Sequence, residues 1–433
     1  MNKRQAAPPV VLKDVRVFDG VSEGLSEQRS VYIRDGKIAE SGEQPRPDAV
    51  VIEGGGRVLV PGLSDAHAHV FAAGSTPADL MMGSMGRGYY NAAAEAERML
   101  MRGFTTIRDM GGDTASLKEA IDAGILPGPR IYPCQAAISQ TSGHGDFSTV
   151  DDAATLLGGP PSRAEAIGFM RVADGRDQVL AAVREQLKKG ASQIKLMAGG
   201  GVTSAYDPLD VLQFTPDELR AAVEAAADWG TYISTHVYNA KGISRAVEAG
   251  VKSIEHGHLA DEATIKELAV KGVWLSTQPF IESDHHHDSP VSAEKNRLVC
   301  EGVKQTLAWA REHKVKVAFG TDLLLDPVGA GKQAEMFARM ATPDFGFTPV
   351  EALKMATSGN AQLFRLAGER DPYKEAPLGV IAPGAWADVL LVEGDPTQDL
   401  SLFGDPDKNL AVIIKDGRIY KNRLGEKPSL KLE

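Results

Sequence analysis

The chain has little cysteine and no long apolar runs, and each shortage removes a class of protein. Only Cys134 and Cys300 occur among 433 residues. That is too few for a disulfide framework, so the fold must rest on a packed core, as suits a reducing compartment. No apolar run reaches the roughly 20 residues that a membrane-spanning helix needs. The start, MNKRQAAPPVVLKD, lacks the apolar stretch of a secretory leader. The expectation is a cytoplasmic protein, with export open only to a longer precursor whose leader has been removed. A basic surplus is missing too. The formal net charge is −11, with both signs interspersed, which reads as solvated surface with no nucleic-acid and no membrane partner. Low-complexity segments and fixed-period repeats are also absent, which excludes solenoids and fibrous arrays.

What is present is a 43% hydrophobic composition, enough for a large core. It is arranged as strand-like runs alternating with amphipathic helical stretches, the pattern of βα units around a parallel sheet. Eight such runs stand out: VLVPGLSDA, TTIRDM, RIYPCQAA, QIKLMA, YISTHV, SIEHG, WLSTQPF and KVAFGTD. Helical stretches separate them, among them TPDELRAAVEAAADWG, which opens on a Thr-Pro start signal and closes on glycine. The predicted fold is α/β, a (β/α)8 TIM-type barrel. Near opposite ends of the chain, VYIRDGKIAE (31–40) and VIIKDGRIYK (412–421) both read as hairpins turning at Asp-Gly. The two ends are therefore expected to meet in one small β-domain. The predicted division is 1–60 and 376–433 for that domain and 61–375 for the barrel.

Six side chains stand at the ends of these runs: His67 and His69 in PGLSDAHAHV, Lys195 in QIKLMAGG, His236 in ISTHVYN, His256 in SIEHGH and Asp322 in VAFGTD. If the runs are parallel strands of one barrel, all six meet on its C-terminal rim. His67 and His69 are two apart on a strand, so both rings point to one side and can hold one ion. Alone they would pass for a core histidine pair, and Lys195 for a rim salt bridge; the ordered set of six turns the reading to metal chemistry. Asp322 adds a hard oxygen ligand, and His236 and His256 would hold a second ion. Two neighbouring cations need a bridging anion. A lysine ammonium cannot serve, but a carbamate formed from Lys195 and carbon dioxide is carboxylate-like.

On these residues the chain resembles the amidohydrolase superfamily, whose His-x-His, Lys, His, His, Asp set it matches one for one. RGFTTIRDMGG, LPGPRIY, SQTSGHGD, GASQIKLMAGGGVTS, EHGHL, FGTDLL and PGAWADVLLVEGDP further resemble the branch of metal-dependent prolidases, carboxypeptidase-like dipeptidases and ochratoxinase-like amidases. The similarity covers nearly the whole chain. It implies two divalent metal ions, usually zinc, bridged by carboxylated Lys195, a β-sandwich built from both chain ends, and a homo-oligomer. Zinc, cobalt, manganese and iron all suit such ligands. It also implies hydrolysis of a small-molecule amide or peptide by a metal-activated water, with Asp322 passing a proton to the leaving nitrogen. Tyr238 and His144 match positions near the substrate, where a phenol and an imidazole donate to a developing oxyanion; the bland readings are a rim aromatic and a loop histidine.

Other residues carry less. Arg108 could anchor a substrate carboxylate but reads better, beside Asp109, as part of a structural ion pair or network; His258 reads as a support for the ligand shell, and the His285-His286-His287 run, which could pass for a metal tract, as a solvent-exposed loop at the pocket mouth. Specificity should lie in the methionine-rich loop after the first barrel strand and in GGGVTSAYDP after the fourth. The leading activity is cleavage of an amide bond to a C-terminal apolar amino acid. Lactone, ester, phosphotriester or cyclic-amide hydrolysis and deamination run on the same scaffold; intact Lys195 counts against the mononuclear deaminases. A non-enzymatic relative would have lost ligands, and none is missing here.

Overall fold

A computed structural model describes residues 7–425 apart from Ser41, Ala205, His286 and Asp288. Eight parallel strands follow the eight predicted runs: β1 Leu63–Ala68, β2 Phe104–Asp109, β3 Arg130–Pro133, β4 Ile194–Met197, β5 Ile233–Asn239, β6 Ser253–Leu259, β7 Trp274–Thr277 and β8 Val317–Phe319. They form two ladders, β1–β2–β3 and β4 through β8. The chain breaks after β3 at Gln135, which has φ +62°. It resumes as Ala137–Ser139, whose Ile138 pairs with Leu196 of β4 and so joins the ladders. At the other seam the amide of Asp322 donates to the carbonyl of His67 at 2.7 Å. A short strand that the sequence reading did not find, Met170–Val172, pairs with Ala137–Ser139.

Strand alternation sorts the side chains. Ile194 and Leu196 of β4, with Ile233 and Val237 of β5, pack outward against Val179, Val183, Leu219 and Ala222 of the covering helices. Their neighbours Lys195 and His236 are left facing inward, as a period of two requires. The Pro216–Asp228 helix begins where the Thr-Pro signal predicts: the Thr215 side chain accepts from the Glu218 amide, and Glu218 returns a bond to the Thr215 amide.

The chain ends meet in one eight-stranded sheet. Its path runs Arg418–Asn422, Leu410–Lys415, Val389–Val392, Val58–Pro61, Val10–Val17, Arg29–Arg34, Lys37–Ile38, with Val50–Glu53 also pairing to Val10–Val17. Both Asp-Gly hairpins form, with φ +52° and +76° at Asp35-Gly36 and +56° and +69° at Asp416-Gly417, the backbone of a type I′ turn. Val10, Leu12 and Ile33 from one end share a core with Val389, Leu391 and Val412 from the other. Arg130, first residue of β3, ties this sheet to the barrel by donating to Asp388 and Asp416, each at 2.9 Å. Among the described residues no helix is long and apolar enough to cross a membrane.

Candidate metal centre

Strands β1, β4, β6 and β8, with the residues just after them, bring five of the six expected ligands to one point, and β5 sets the sixth, His236, against them. Ligand atoms of His67, His256 and Asp322 all lie within 4.8 Å of one another, a group that can hold a metal ion. The His67 and His69 rings point to the same side, 5.3 Å apart between centroids. Their Nε2 atoms lie 3.3 and 3.0 Å from Asp322 Oδ1. Lys195 Nζ is 3.3 Å from His67 Nε2. His236 joins through its ring, 4.5 Å from that of His256.

Two backbone features aim these groups. Ile254 faces the covering helices and Glu255 the interior, so regular alternation would turn His256 outward; its φ of +69° swings the ring back onto the rim. Asp322 also sits in the left-handed region, at φ +54°. Such conformations cost non-glycine residues about 1–3 kcal/mol and persist only where the surrounding structure holds them. Gly320 lets β8 close against β1, since a methyl group there would lie 2.6 Å from His67 Cβ.

Beneath the ligands is a support that the sequence reading missed. Glu255, fully buried, accepts from His67 Nδ1 at 2.9 Å, Ser253 Oγ at 2.7 Å and Arg108 Nη2 at 2.8 Å. With Nδ1 committed as a donor, His67 Nε2 carries the lone pair a metal needs. Arg108 is therefore structural, but its partner is Glu255 and not Asp109; along β2 the two side chains face opposite ways. Arg108 also donates to Ala66 O and Tyr232 Oη. Asp109 instead accepts from the Val70 amide. Asp65 takes the His67 amide at 2.9 Å and the Thr321 amide at 3.1 Å, binding the ends of β1 and β8. The signal for Glu255 was its alternation with Ile254, which puts a carboxylate inside an apolar barrel.

Tyr238 and His144 both reach the centre. Tyr238 is buried with its ring 4.9 Å from His236 and 5.2 Å from His256. His144 stacks on His236 at 4.2 Å between centroids. Its Nδ1 lies 2.7 Å from Ser204 Oγ and 3.3 Å from Asp207 Oδ2. Gly201 makes room for it, because a Cβ there would lie 2.0 Å from the imidazole. His258 bonds Thr277 Oγ1 at 3.1 Å and packs on Tyr238. His285 departs from the expected solvent-exposed loop: it is half-buried, with its ring edge-on to Phe280 at 5.0 Å, because an apolar surface lies beside it. His287 is half-buried as well, and His286 lies outside the described residues.

Electrostatics suit cation binding. Burial first, then neighbouring imidazoles and Lys195, hold His236 and His256 well below the ordinary histidine value. Burial lowers His69 despite Asp322. Neutral imidazoles keep their lone pairs for a metal. Burial would raise Asp322, but His67 and His69 more than reverse it and hold the carboxylate ionised. The donor set, buried imidazole nitrogens beside an anionic oxygen, fits a divalent transition metal.

The Amidohydrolase family model matches residues 58–420. The chain belongs to the amidohydrolase family. It is a hydrolase of amide bonds, with relatives in the prolidase and ochratoxinase branch. Ochratoxinase from Aspergillus niger is 33% identical over 385 residues, covering 84% of this chain and 76% of that protein. A prolidase solved with N-methylphosphonate-L-proline superposes with a TM-score of 0.86 at 32% identity, over 96% of this chain and all of the other. A Xaa-Pro dipeptidase with methionine in its active site gives 0.80 at 29% identity, again over 96% of this chain and all of the other.

Proposed function

We propose that this amidohydrolase is a binuclear, metal-dependent enzyme that cleaves the amide bond to a C-terminal apolar amino acid, in a dipeptide, an N-acyl amino acid or an ochratoxin-type phenylalanine amide. The observation that carries the reading is the meeting of the His67, His256 and Asp322 ligand atoms within 4.8 Å, ringed by His69, His236 and Lys195. His67, His69 and Asp322 would hold one ion and His236 and His256 the second, with a carboxylated Lys195 as their shared anionic ligand; zinc is the ion we assign. The bound metals supply Lewis acidity and a water-derived nucleophile near neutral pH. The likeness to ochratoxinase and to prolidases supports the substrate class.

The chain's own residues do the rest. Burial lowers the proton affinity of Lys195, against the pull of Glu255 and Asp322, which raises the share of free amine that can take up carbon dioxide. Asp322, held ionised, accepts the proton of the attacking water and returns it to the leaving nitrogen, without which an amide expels its amine poorly. Tyr238 and His144 donate to the carbonyl oxygen as it gains charge. Glu255 and Arg108 hold the His67 ring in place from below. We read 61–375 as the working barrel, and the described parts of 1–60 and 376–433 as one small β-sandwich domain. The enzyme acts as a homo-oligomer on a small-molecule amide or peptide, with no nucleic-acid or membrane partner.

The test is incubation of metal-loaded protein, with bicarbonate and beside a chelated control, against Xaa-Pro dipeptides, N-acyl-phenylalanines and ochratoxin A, with products identified by mass. The expected result is chelator-sensitive release of a free C-terminal amino acid. Protein that holds two metals yet cleaves none of these amides, while opening lactones, esters or cyclic amides, would replace the reading.

A further inference from the structure

The loop after β4, residues 199–208, touches two rings of the site at once. Gly200 O accepts from His236 Nε2 at 3.1 Å, while Ser204 Oγ and Asp207 Oδ2 face His144 Nδ1. Within the loop the Gly201 amide donates to Asp207 Oδ2 at 2.7 Å. The segment begins with three consecutive glycines, and its described residues form no helix or strand, only the isolated bridge of Gly199 to Leu212, so its shape depends on ties to the rest of the molecule.

One tie comes from the Pro290–Glu312 helix that follows β7. Lys295 on that helix is only 9% exposed. Its Nζ donates to Gly201 O at 2.9 Å, Ser204 O at 3.2 Å and Asp207 O at 3.0 Å. An ammonium has three protons, and here all three go to carbonyls of one loop. Burying a charge is expensive unless it is fully hydrogen-bonded, and an apolar residue would fill the same space for less. What the ammonium adds is a grip that draws three carbonyls to one point. The three residues it holds are the ones that surround His144: Gly201 beneath the ring, and Ser204 and Asp207 at its Nδ1.

We propose that Lys295 is a positioning residue for catalysis, fastening the β4 loop so that His144 stays seated on His236 and faces the substrate. The inference rests on the reading of His144 as a substrate-facing group. Lys295 touches neither the reacting bond nor a metal ligand; it acts through the loop.

Lys295→Met keeps the aliphatic stem and removes the three donors, and Lys295→Gln keeps part of the polarity. Each is measured for chymotrypsin cleavage after Tyr206, an exposed residue of the loop, for metal content, and for kcat and KM alone and combined with His144→Ala. The expected result for Lys295→Met is wild-type metal content, cleavage after Tyr206 at least about 10-fold faster, and kcat/KM down about 10- to 100-fold. Most of that loss should vanish when His144→Ala is already present, with Lys295→Gln falling between. Unchanged cleavage and turnover would overturn the proposal. So would an undiminished loss in the His144→Ala background, or failure of both Lys295 variants to fold, which would mark Lys295 as a core element. Cleavage after Tyr206 needs no substrate, so it reads the loop even if amide hydrolysis is not found.

Discussion

A lysine buried among histidines is an unusual use of a side chain, and at Lys195 it decides between structural and catalytic roles. A structural ammonium would be replaceable by another cation, whereas a carbamate bridge is not. On the binuclear reading proposed above, Lys195→Ala should therefore lower the metal content from two ions to one and kcat/KM by at least about 100-fold, read by metal analysis beside the hydrolysis assay. Full activity with full metal content would end the binuclear reading. Glu255 makes a different prediction. Burial alone would raise its pKa, but Arg108 and His67 pull it well below the usual 4.5. A carboxylate depressed in the folded state contributes stability that is whole above the unfolded value and drains away as the pH falls below it. Glu255→Gln leaves Arg108 buried without its anion and should cost about 3–5 kcal/mol near pH 7. In urea melts the gap between wild type and variant should narrow between about pH 5 and pH 3. A gap that stays constant there would show that the charge on Glu255 is not what stabilises the site.

Elements differ in how openly they declared themselves. The helix at Pro216–Asp228 and both Asp-Gly hairpins were legible because their signals are local: a capping box, and a turn whose positive φ values suit Asp-Gly. The strands were legible by period. The left-handed turns at His256 and Asp322 were not, since Asp and His, though enriched at positive φ, adopt it in only a minority of cases, and the conformation is held by neighbours distant in sequence. Gly320 belongs to the same group. Gly320→Ala would put a methyl group 2.6 Å from His67 Cβ and should push the end of β8 away from β1, carrying Asp322 out of reach of the histidines. The expected outcome is lowered metal affinity and near-complete loss of turnover with far-ultraviolet circular dichroism unchanged. Retained metal affinity would mean that this seam can yield.

At the scale of the whole molecule, the two ends of the chain complete one sheet, and that sheet serves the barrel. Leu410 and Ile413 pack in the same core as Phe104 of β2 and Leu307 of the Pro290–Glu312 helix. Arg130 carries the connection on to β3. Deleting residues 405–433 would strip these apolar side chains and leave Val389–Val392 as an open sheet edge, a template for aggregation. The truncated protein should be insoluble or fail to melt cooperatively, checked by expression and calorimetry. A soluble, active truncation would show that the barrel is complete without the terminal sheet.

The sequence alone determined the barrel class, the eight strand sites, the meeting of the chain ends and which six side chains gather at the centre. Each of these follows from periodicity, turn chemistry or residue type at a strand end, all of which are written within a few neighbouring positions. Only the tertiary structure decided that Arg108 pairs with Glu255 rather than Asp109, that His256 turns inward against the alternation of its strand, that His285 is half-buried, and that Lys295 holds the loop around His144. Those outcomes depend on which side chains meet across the barrel from positions up to 147 residues apart. A one-dimensional pattern carries no such distances, and burial, which makes each of these contacts strong, exists only once the chain has closed.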